Sequence, residues 1–305
     1  MSHAPLRIGF RANRLGQILG ERVAQQLKPY LGATTVQLHP VDSSGERGLD
    51  LRVGWPGSPL EHALAKGTID LAVQNAKDLA PEPESGVLLA AVTERLTPFD
   101  VLIARDETIM DELPEGAVIC AHTPLRRAQL LRYRDDLKLV DFTGSLDERI
   151  RMLDTGEVDG LIVSAAAVEH LGFQDRVTEI FTTEVLLPAA GQGACVVQIR
   201  HGSKDLLKLV KHLETPTARM EIESERAFVR ELKADASMAI GALAAIDGQN
   251  VRLDGLVTDR DGRRAVRDIE EGEAGDEVGI GSRLAQRLLV EGARRILSGV
   301  GTAAR

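Results

Sequence analysis

Two stretches decide the fold: KGTIDLAV (66–73) and TGEVDGLI (155–162). Each places glycine, one spacer, a β-branched residue and aspartate ahead of an apolar run. A glycine here can take the left-handed backbone that ends a helix, and the apolar run then reads as a buried strand. Ahead of the second copy, Ser145-Leu-Asp-Glu148 has the spacing of a capping box, so a helix should open at Ser145 and close at Gly156. The repeated order of helix, glycine and buried strand predicts two α/β lobes of similar design.

Outward from these copies, Leu6 to Phe10 is a short apolar strand, followed by a helical pattern through Val23 and Leu27. Val36 to His39 is a second strand, and residues 41–59 read as a long Gly-, Ser- and Pro-rich loop before a helix at Leu60 to Ala65. LLPAAGQG (186–193) reads as the return crossing from the second lobe to the first. Thr215-Pro216 has the N-cap and N1 chemistry of a helix running to Glu231. Strands at Ala242–Ile246 and Val251–Val257 and a closing helix from Glu277 to Leu297 make a small α+β unit. The expected division is 1–95 with 188–213 for lobe one, 96–187 for lobe two and 214–305 for the third domain. Two open α/β lobes bind ligands between them, beyond the carboxyl ends of their strands. Lys77-Asp78, His122 to Arg127 and the residues after Phe10 fall at such ends.

Composition narrows the function. A net charge of -9 argues against a general nucleic-acid surface, and 3% aromatic residues leave little for base stacking. With only Cys120 and Cys195, neither a disulfide scaffold nor a zinc ribbon is expected. His122 and His170 lack a ligand spacing, so no metal is expected. MSHAPLRIGF has no secretory pattern, and no apolar run nears the ~20 residues that span a bilayer. A cytoplasmic, soluble protein without membrane or nucleic-acid partners is the expectation; oligomeric state is left open. Taken singly, Lys77-Asp78 fits a solvated turn as well as a catalytic pair, and Arg126-Arg127 fits surface ion pairs as well as an anion site.

RIGFR (7–11), AVQNAKDLAPE (72–82), TPLRRAQL (123–130), LDTGEVDGLIVSAAAVEHLG (153–172), LPAAGQGA (187–194) and ESERAF (223–228) occur in a telling order. Together they resemble the hydroxymethylbilane synthase (porphobilinogen deaminase) family almost end to end. The resemblance implies two lobes like those of type II periplasmic-binding proteins plus the small C-terminal α+β domain. It also implies the joining of porphobilinogen units head to tail, each with loss of ammonia. By resemblance, Asp78 is the acid/base carboxylate beside the pyrrole N–H groups, with Lys77 its catalytic neighbour. Arg11, Asn13, Thr123, Arg126, Arg127, Gly144 and Arg149 match substrate-binding positions, the arginines serving the acetate and propionate groups.

The sequence departs from the family in several places, including Gln74-Asn75-Ala76 where the family has His-Ser-Met before Lys-Asp and Thr123-Pro124 where it has Ser-Ser before Leu-Arg-Arg. Family members hold a dipyrromethane primer as a thioether on a third-domain cysteine; here that loop reads KADASMAIG (233–241), with Ala236 at the cysteine position. No covalently attached cofactor is therefore expected, although a non-covalent pyrrole primer is compatible. Ser237 is a far poorer nucleophile than a thiol, and Cys120 is either a cleft thiol or a buried strand residue. The family's lid segment is replaced by VGWPGSPLEHAL (53–64), where Trp55 is either a substitute aromatic or a packing anchor. Thr143 and His170 stand where the family has arginines. At roughly 1.5–3 kcal/mol per charge-assisted hydrogen bond, these two losses weaken binding of a polyanion on the order of a hundredfold. Three readings follow: a divergent transferase acting on porphobilinogen or a related pyrrole, a non-catalytic paralogue binding a small anionic pyrrole, or a regulatory partner of a pathway enzyme.

Overall fold

The computed structural model describes residues 4–42, 58–235 and 237–299. Trp55, Ala236 and most of the expected loop over 41–59 lie outside the described residues. The first lobe contains β1 (Leu6–Arg11), α1 (Arg14–Leu27), β2 (Val36–Val41), α2 (Pro59–Ala65), β3 (Leu71–Asn75) and β4 (Val87–Val92). The second contains β5 (Asp100–Ala104), β6 (Val118–Cys120), α3 (Pro124–Tyr133), β7 (Lys138–Val140), α4 (Leu146–Asp154), β8 (Gly160–Ser164), α5 (Ala165–Leu171) and β9 (Glu179–Ile180). The chain then returns through β10 (Cys195–Arg200) and α6 (Lys204–Val210). A third unit follows: α7 (Pro216–Glu231), β11 (Ala239–Asp247), β12 (Asn250–Thr258), β13 (Ala265–Glu273), α8 (Glu277–Leu288) and α9 (Arg294–Leu297).

The two lobes share one topology. Their sheets run β2-β1-β3-β10-β4 and β7-β6-β8-β5-β9. In each, three strands are parallel and the fourth is antiparallel to its neighbours on both sides. That fourth strand comes from a crossing: β5 follows the passage out of lobe one, and β10 follows the passage back. This is the type II periplasmic-binding-protein arrangement. The third unit is a three-stranded antiparallel sheet covered by α7 and α8.

The repeat seen in the sequence has a structural reason. Gly67 (φ +72°) and Gly156 (φ +78°) end α2 and α4 in the left-handed region. The aspartates that follow cap equivalent central parallel strands, β1 in lobe one and β6 in lobe two. Asp70 accepts from the Arg7 backbone N–H at 3.0 Å, and Asp159 accepts from that of Val118 at 2.8 Å. Each also pairs with an arginine at the end of the antiparallel strand: Asp70 with Arg200 at 3.6 Å, and Asp159 with Arg105. At Ser145 both halves of the capping box form.

Other expectations shift in detail. The second strand extends through Pro40 to Val41, which is tolerated because β2 is a sheet edge and needs no donor on its outer side. Thr215 precedes α7, but its side chain makes no capping hydrogen bond. The closing helix is broken by a π-type turn over Leu289–Ala293, where Gly292 takes φ 138°. β13 has no counterpart in the sequence-based expectation, because AVRDIEEGE carries too many charges to read as a strand.

The third unit packs on both lobes through separate apolar patches. Ala218 and Ile222 of α7 join Ala76, Leu79, Val92 and Val196 of lobe one. Ala239 and Leu256 join Leu125, Ala128 and Leu187. The space left between these contacts is the cleft.

Candidate active site

The cleft encloses about 240 Å³, far more than the 10–15 Å³ that one water needs on the same measure. All three units line it. Lobe one supplies Lys77 and Asp78 from the turn after β3, lobe two supplies Asp100, Thr123 and Arg126, and the third unit supplies Arg226, Asp235 and Met238. Gln192 and Ala190 come from the return crossing.

β3 is buried along its length until Asn75, after which a single 3-10 turn, Ala76–Asp78, carries the chain out of the sheet. That turn is where the buried strand surfaces, so its polar side chains face the cleft. Asp78 lies 3.8 Å from the Arg11 guanidinium at the end of β1, and Asn75 donates to its carboxylate at 3.4 Å. Lys77 donates to the Gln192 side-chain oxygen at 3.1 Å. Burial, reinforced by the Arg126 and Arg149 guanidiniums and opposed by Asp78 and Asp100, pushes the Lys77 ammonium down to about 8.

Arg126 lies in the first turn of α3, which is capped by the Thr123 hydroxyl accepting from the Arg126 N–H at 3.3 Å. Its guanidinium is buried, donating to Asp100 at 2.7 Å and to the Ile162 carbonyl at 3.3 Å. Gln192 ties the two lobes together: its amide donates to Asp100 at 2.8 Å and to the Pro98 carbonyl at 2.7 Å, while its oxygen receives Lys77. Behind it, Arg95 donates to the Gln192 carbonyl at 3.0 Å and to Glu225 at 2.7 Å. Glu225 is fully buried and also accepts from the N–H groups of Gly191 (2.6 Å) and Ala244 (2.8 Å). Both crossings and the third unit thus meet at one carboxylate.

The remaining expected site residues are placed as follows. Asn13 caps α1, its side-chain oxygen accepting from Gly16 at 2.7 Å. Arg127 donates to the carbonyls of Ala121, just after β6, and of Leu139 within β7, and does not line the cleft. Arg149 lies near Cys120 and Arg126; its Nε is buried without a hydrogen-bond partner, and burial pushes its guanidinium down. A Cβ at Gly144 would fall 2.1 Å from the Phe142 ring, so a side chain there requires that ring to move. Ser237 donates its hydroxyl to Asp235 at 2.6 Å. His122 lines the cleft and is bonded to Asp141 at 2.6 Å, whereas His170 sits on α5 beside Arg22. Among the described residues no three His, Cys, Asp or Glu side chains converge as a metal site. Both thiols are buried, and neither lines the cleft. Burial pushes both up, Cys195 to about 12.

Asp100, Gln192, Arg226 and Asp235 are cleft residues that sequence reasoning did not single out. Asp100 had a usable signal: it begins an otherwise apolar run, Val101 to Ala104, and a buried carboxylate must have a partner. Gln192 lay inside a quoted motif but was read as part of a turn.

Fold and site together define a two-lobed cleft protein with acid-base groups on its walls and a third unit closing one side. The porphobilinogen deaminase dipyromethane cofactor binding domain model matches residues 6–208, and the porphobilinogen deaminase C-terminal domain model matches 219–290. A porphobilinogen deaminase of Pelotomaculum thermopropionicum is 35% identical over 298 residues, covering 96% of each chain. One from a Roseiflexus species is 35% identical over 300 residues, covering 96% of this chain and 99% of that one. The chain belongs to the porphobilinogen deaminase family, transferases of tetrapyrrole biosynthesis for which a dipyrromethane cofactor is characteristic. Among solved structures, the Bordetella pertussis BvgS periplasmic VFT2 domain has a TM-score of 0.43 at 16% identity, covering 69% of this chain and 86% of that one. The fold assignment rests on the strand order rather than on that likeness. No helix among the described residues is long and apolar enough to cross a membrane.

Proposed function

We propose that this chain condenses porphobilinogen, or a closely related aminomethylpyrrole, with release of ammonia, and that it does so without a primer held on sulfur. The observation that carries the second half is the state of its thiols. A thioether needs an accessible thiolate. The chain has two cysteines, both buried, both pushed up by burial and neither on the cleft wall. A sulfur-linked dipyrromethane does not fit these residues.

The cleft supports the first half. Its lining has two arginines and a lysine (Arg126, Arg226, Lys77), one histidine (His122) and three acidic side chains (Asp78, Asp100, Asp235). Asp100 is already committed to Arg126, and Asp235 to Ser237. Asp78, whose own contacts are longer (3.4 Å to Asn75 and 3.8 Å to Arg11), is the carboxylate left for an entering pyrrole. Expulsion of ammonia from the aminomethyl group leaves a cationic methylene, which a carboxylate close to the pyrrole N–H stabilises. After attack by the next pyrrole, the same carboxylate accepts the displaced ring proton. Arg11, 3.8 Å away, steadies the Asp78 carboxylate and offers N–H groups to substrate carboxylates. A cleft that only bound acids would gain nothing from Asp78, which disfavours a purely binding role.

The test is ammonia release by the purified protein incubated with porphobilinogen. Turnover that falls by at least a hundredfold in Asp78→Asn, with an unchanged thermal melt, is the expected result. Absence of ammonia from the unaltered protein would overturn the proposal.

A further inference from the structure

With sulfur sealed away and the His122 ring tied to Asp141, the described residues of the cleft wall still include an amine, that of Lys77. Its amine lines the same cavity as Asp235 and Met238, the residues bracketing the position where the family carries its cysteine. A growing chain held at Lys77 would therefore lie in the cavity that Asp235 and Met238 also line, anchored from lobe one. The hydrogen bond to Gln192 fixes the amine at the end of an otherwise flexible stem. That bond uses one N–H, so a neutral amine keeps its lone pair for attack.

We infer that Lys77 is the covalent attachment point for the first pyrrole unit, as a secondary amine formed with the substrate's own methylene carbon. The inference rests on the reading of this chain as a deaminating transferase. The step balances without any further reagent. The aminomethyl C–N bond of porphobilinogen breaks and ammonia leaves with the bonding pair, giving the methylene cation. The Lys77 lone pair forms a new C–N bond to that carbon, and the resulting secondary ammonium retains its proton or passes it to Asp78. One ammonia is released for each chain modified. The bond formed is the same kind as the bond broken in every substrate, so it can be expelled again when protonated, which a thioether resists.

The electrostatics support this role. The groups facing Lys77 are Arg126 and Arg149, which disfavour its charge, and Asp78 and Asp100, which favour it; burial decides the balance, leaving it near 8. About a tenth of the amine is then neutral at pH 7 and about half at pH 8. An ordinary surface lysine would be neutral in well under one part in a hundred at pH 7.

The experiment is intact mass and peptide mapping of the full chain after brief incubation with porphobilinogen and an alkaline denaturing quench, which keeps the secondary amine unprotonated, with ammonia measured in the same tubes. The expected result is a mass gain of one porphobilinogen less ammonia, or whole multiples of it, located on Lys77. The gain should form faster as pH rises from 7 to 9 and be reversed by a large excess of ammonium. Lys77→Arg, which keeps the charge, should show no mass gain at all. Ammonia release with no mass gain, or with the gain on another residue, would overturn Lys77 as the anchor while leaving the transferase reading intact. No ammonia and no gain would overturn both.

Discussion

Lys77 is held in a place that disfavours its charge, and this has a cost in stability as well as a use in chemistry. Unfolded, the amine titrates near 10.4; folded, it titrates near 8. Between those values the unfolded chain binds more protons than the folded one, so the Lys77 contribution to stability rises with pH through that window. Below about pH 8 the penalty is fully present. Lys77→Met should therefore stabilise the protein at pH 7 by on the order of 1–3 kcal/mol and abolish this rise, measured by denaturant melts at pH 7 and 10. Equal stability of the two proteins at pH 7 would show the ammonium to be well solvated. Asp70 behaves in the opposite sense. Burial works against its charge, but the Arg7 hydrogen bonds outweigh it and hold the carboxyl below its usual range. Its stabilisation is present above about pH 4 and fades as pH falls through the lowered value. Asp70→Asn should cost about 1.5–3 kcal/mol at pH 7 and flatten the acid limb of the stability profile. At this scale the sequence was legible where a motif carried the residue: Lys77, Asp78, Thr123 and Arg126 all reach the cleft wall. It was not legible for Asp100 or Gln192, whose partners lie 26 and 92 positions away. Side-chain pairs at such separations leave no periodic trace.

Among elements, the sharpest constraint is the approach of the return crossing to the turn after β3. Gly191 has φ +81°, and a Cβ there would fall 2.7 Å from the backbone of Ala76 and Lys77. Gly193 has φ +88° and presses on the Leu96 carbonyl of the outward crossing. Gly191→Ala should displace the turn bearing Lys77 and Asp78 and lower ammonia release at least tenfold, whereas Gly172→Ala, at an open helix end, should leave turnover unchanged. A Gly191→Ala protein with full activity would show that the turn tolerates movement. The helix-to-strand repeat was readable because glycine, aspartate and an apolar run each have a local conformational reason. β13 was not, because its strand character comes from pairing with β12 along its whole length rather than from its own residues.

For the whole molecule, the three units are held at Glu225, where Arg95 of one crossing, Gly191 of the other and Ala244 of β11 converge. Removing the carboxylate leaves the Gly191 and Ala244 N–H groups without their acceptor and Arg95 with only Glu221 and the Gln192 carbonyl, so Glu225→Ala should cost about 3–5 kcal/mol in a denaturant melt. By contrast, the Arg14–Asp147 pair that joins the lobes at 2.7 Å is largely exposed, and its loss should cost under about 1 kcal/mol. The two crossings, hydrogen-bonded to each other from Thr93 to Cys195 and from Leu96 to Gly193, also set an order of assembly during synthesis. All strands of the second lobe are present once residue 180 has been made, whereas the first lobe, although begun earlier, lacks its β10 until residue 200 leaves the ribosome. The part translated first is thus completed second, and β3 and β4 must wait with open edges while more than a hundred further residues are added.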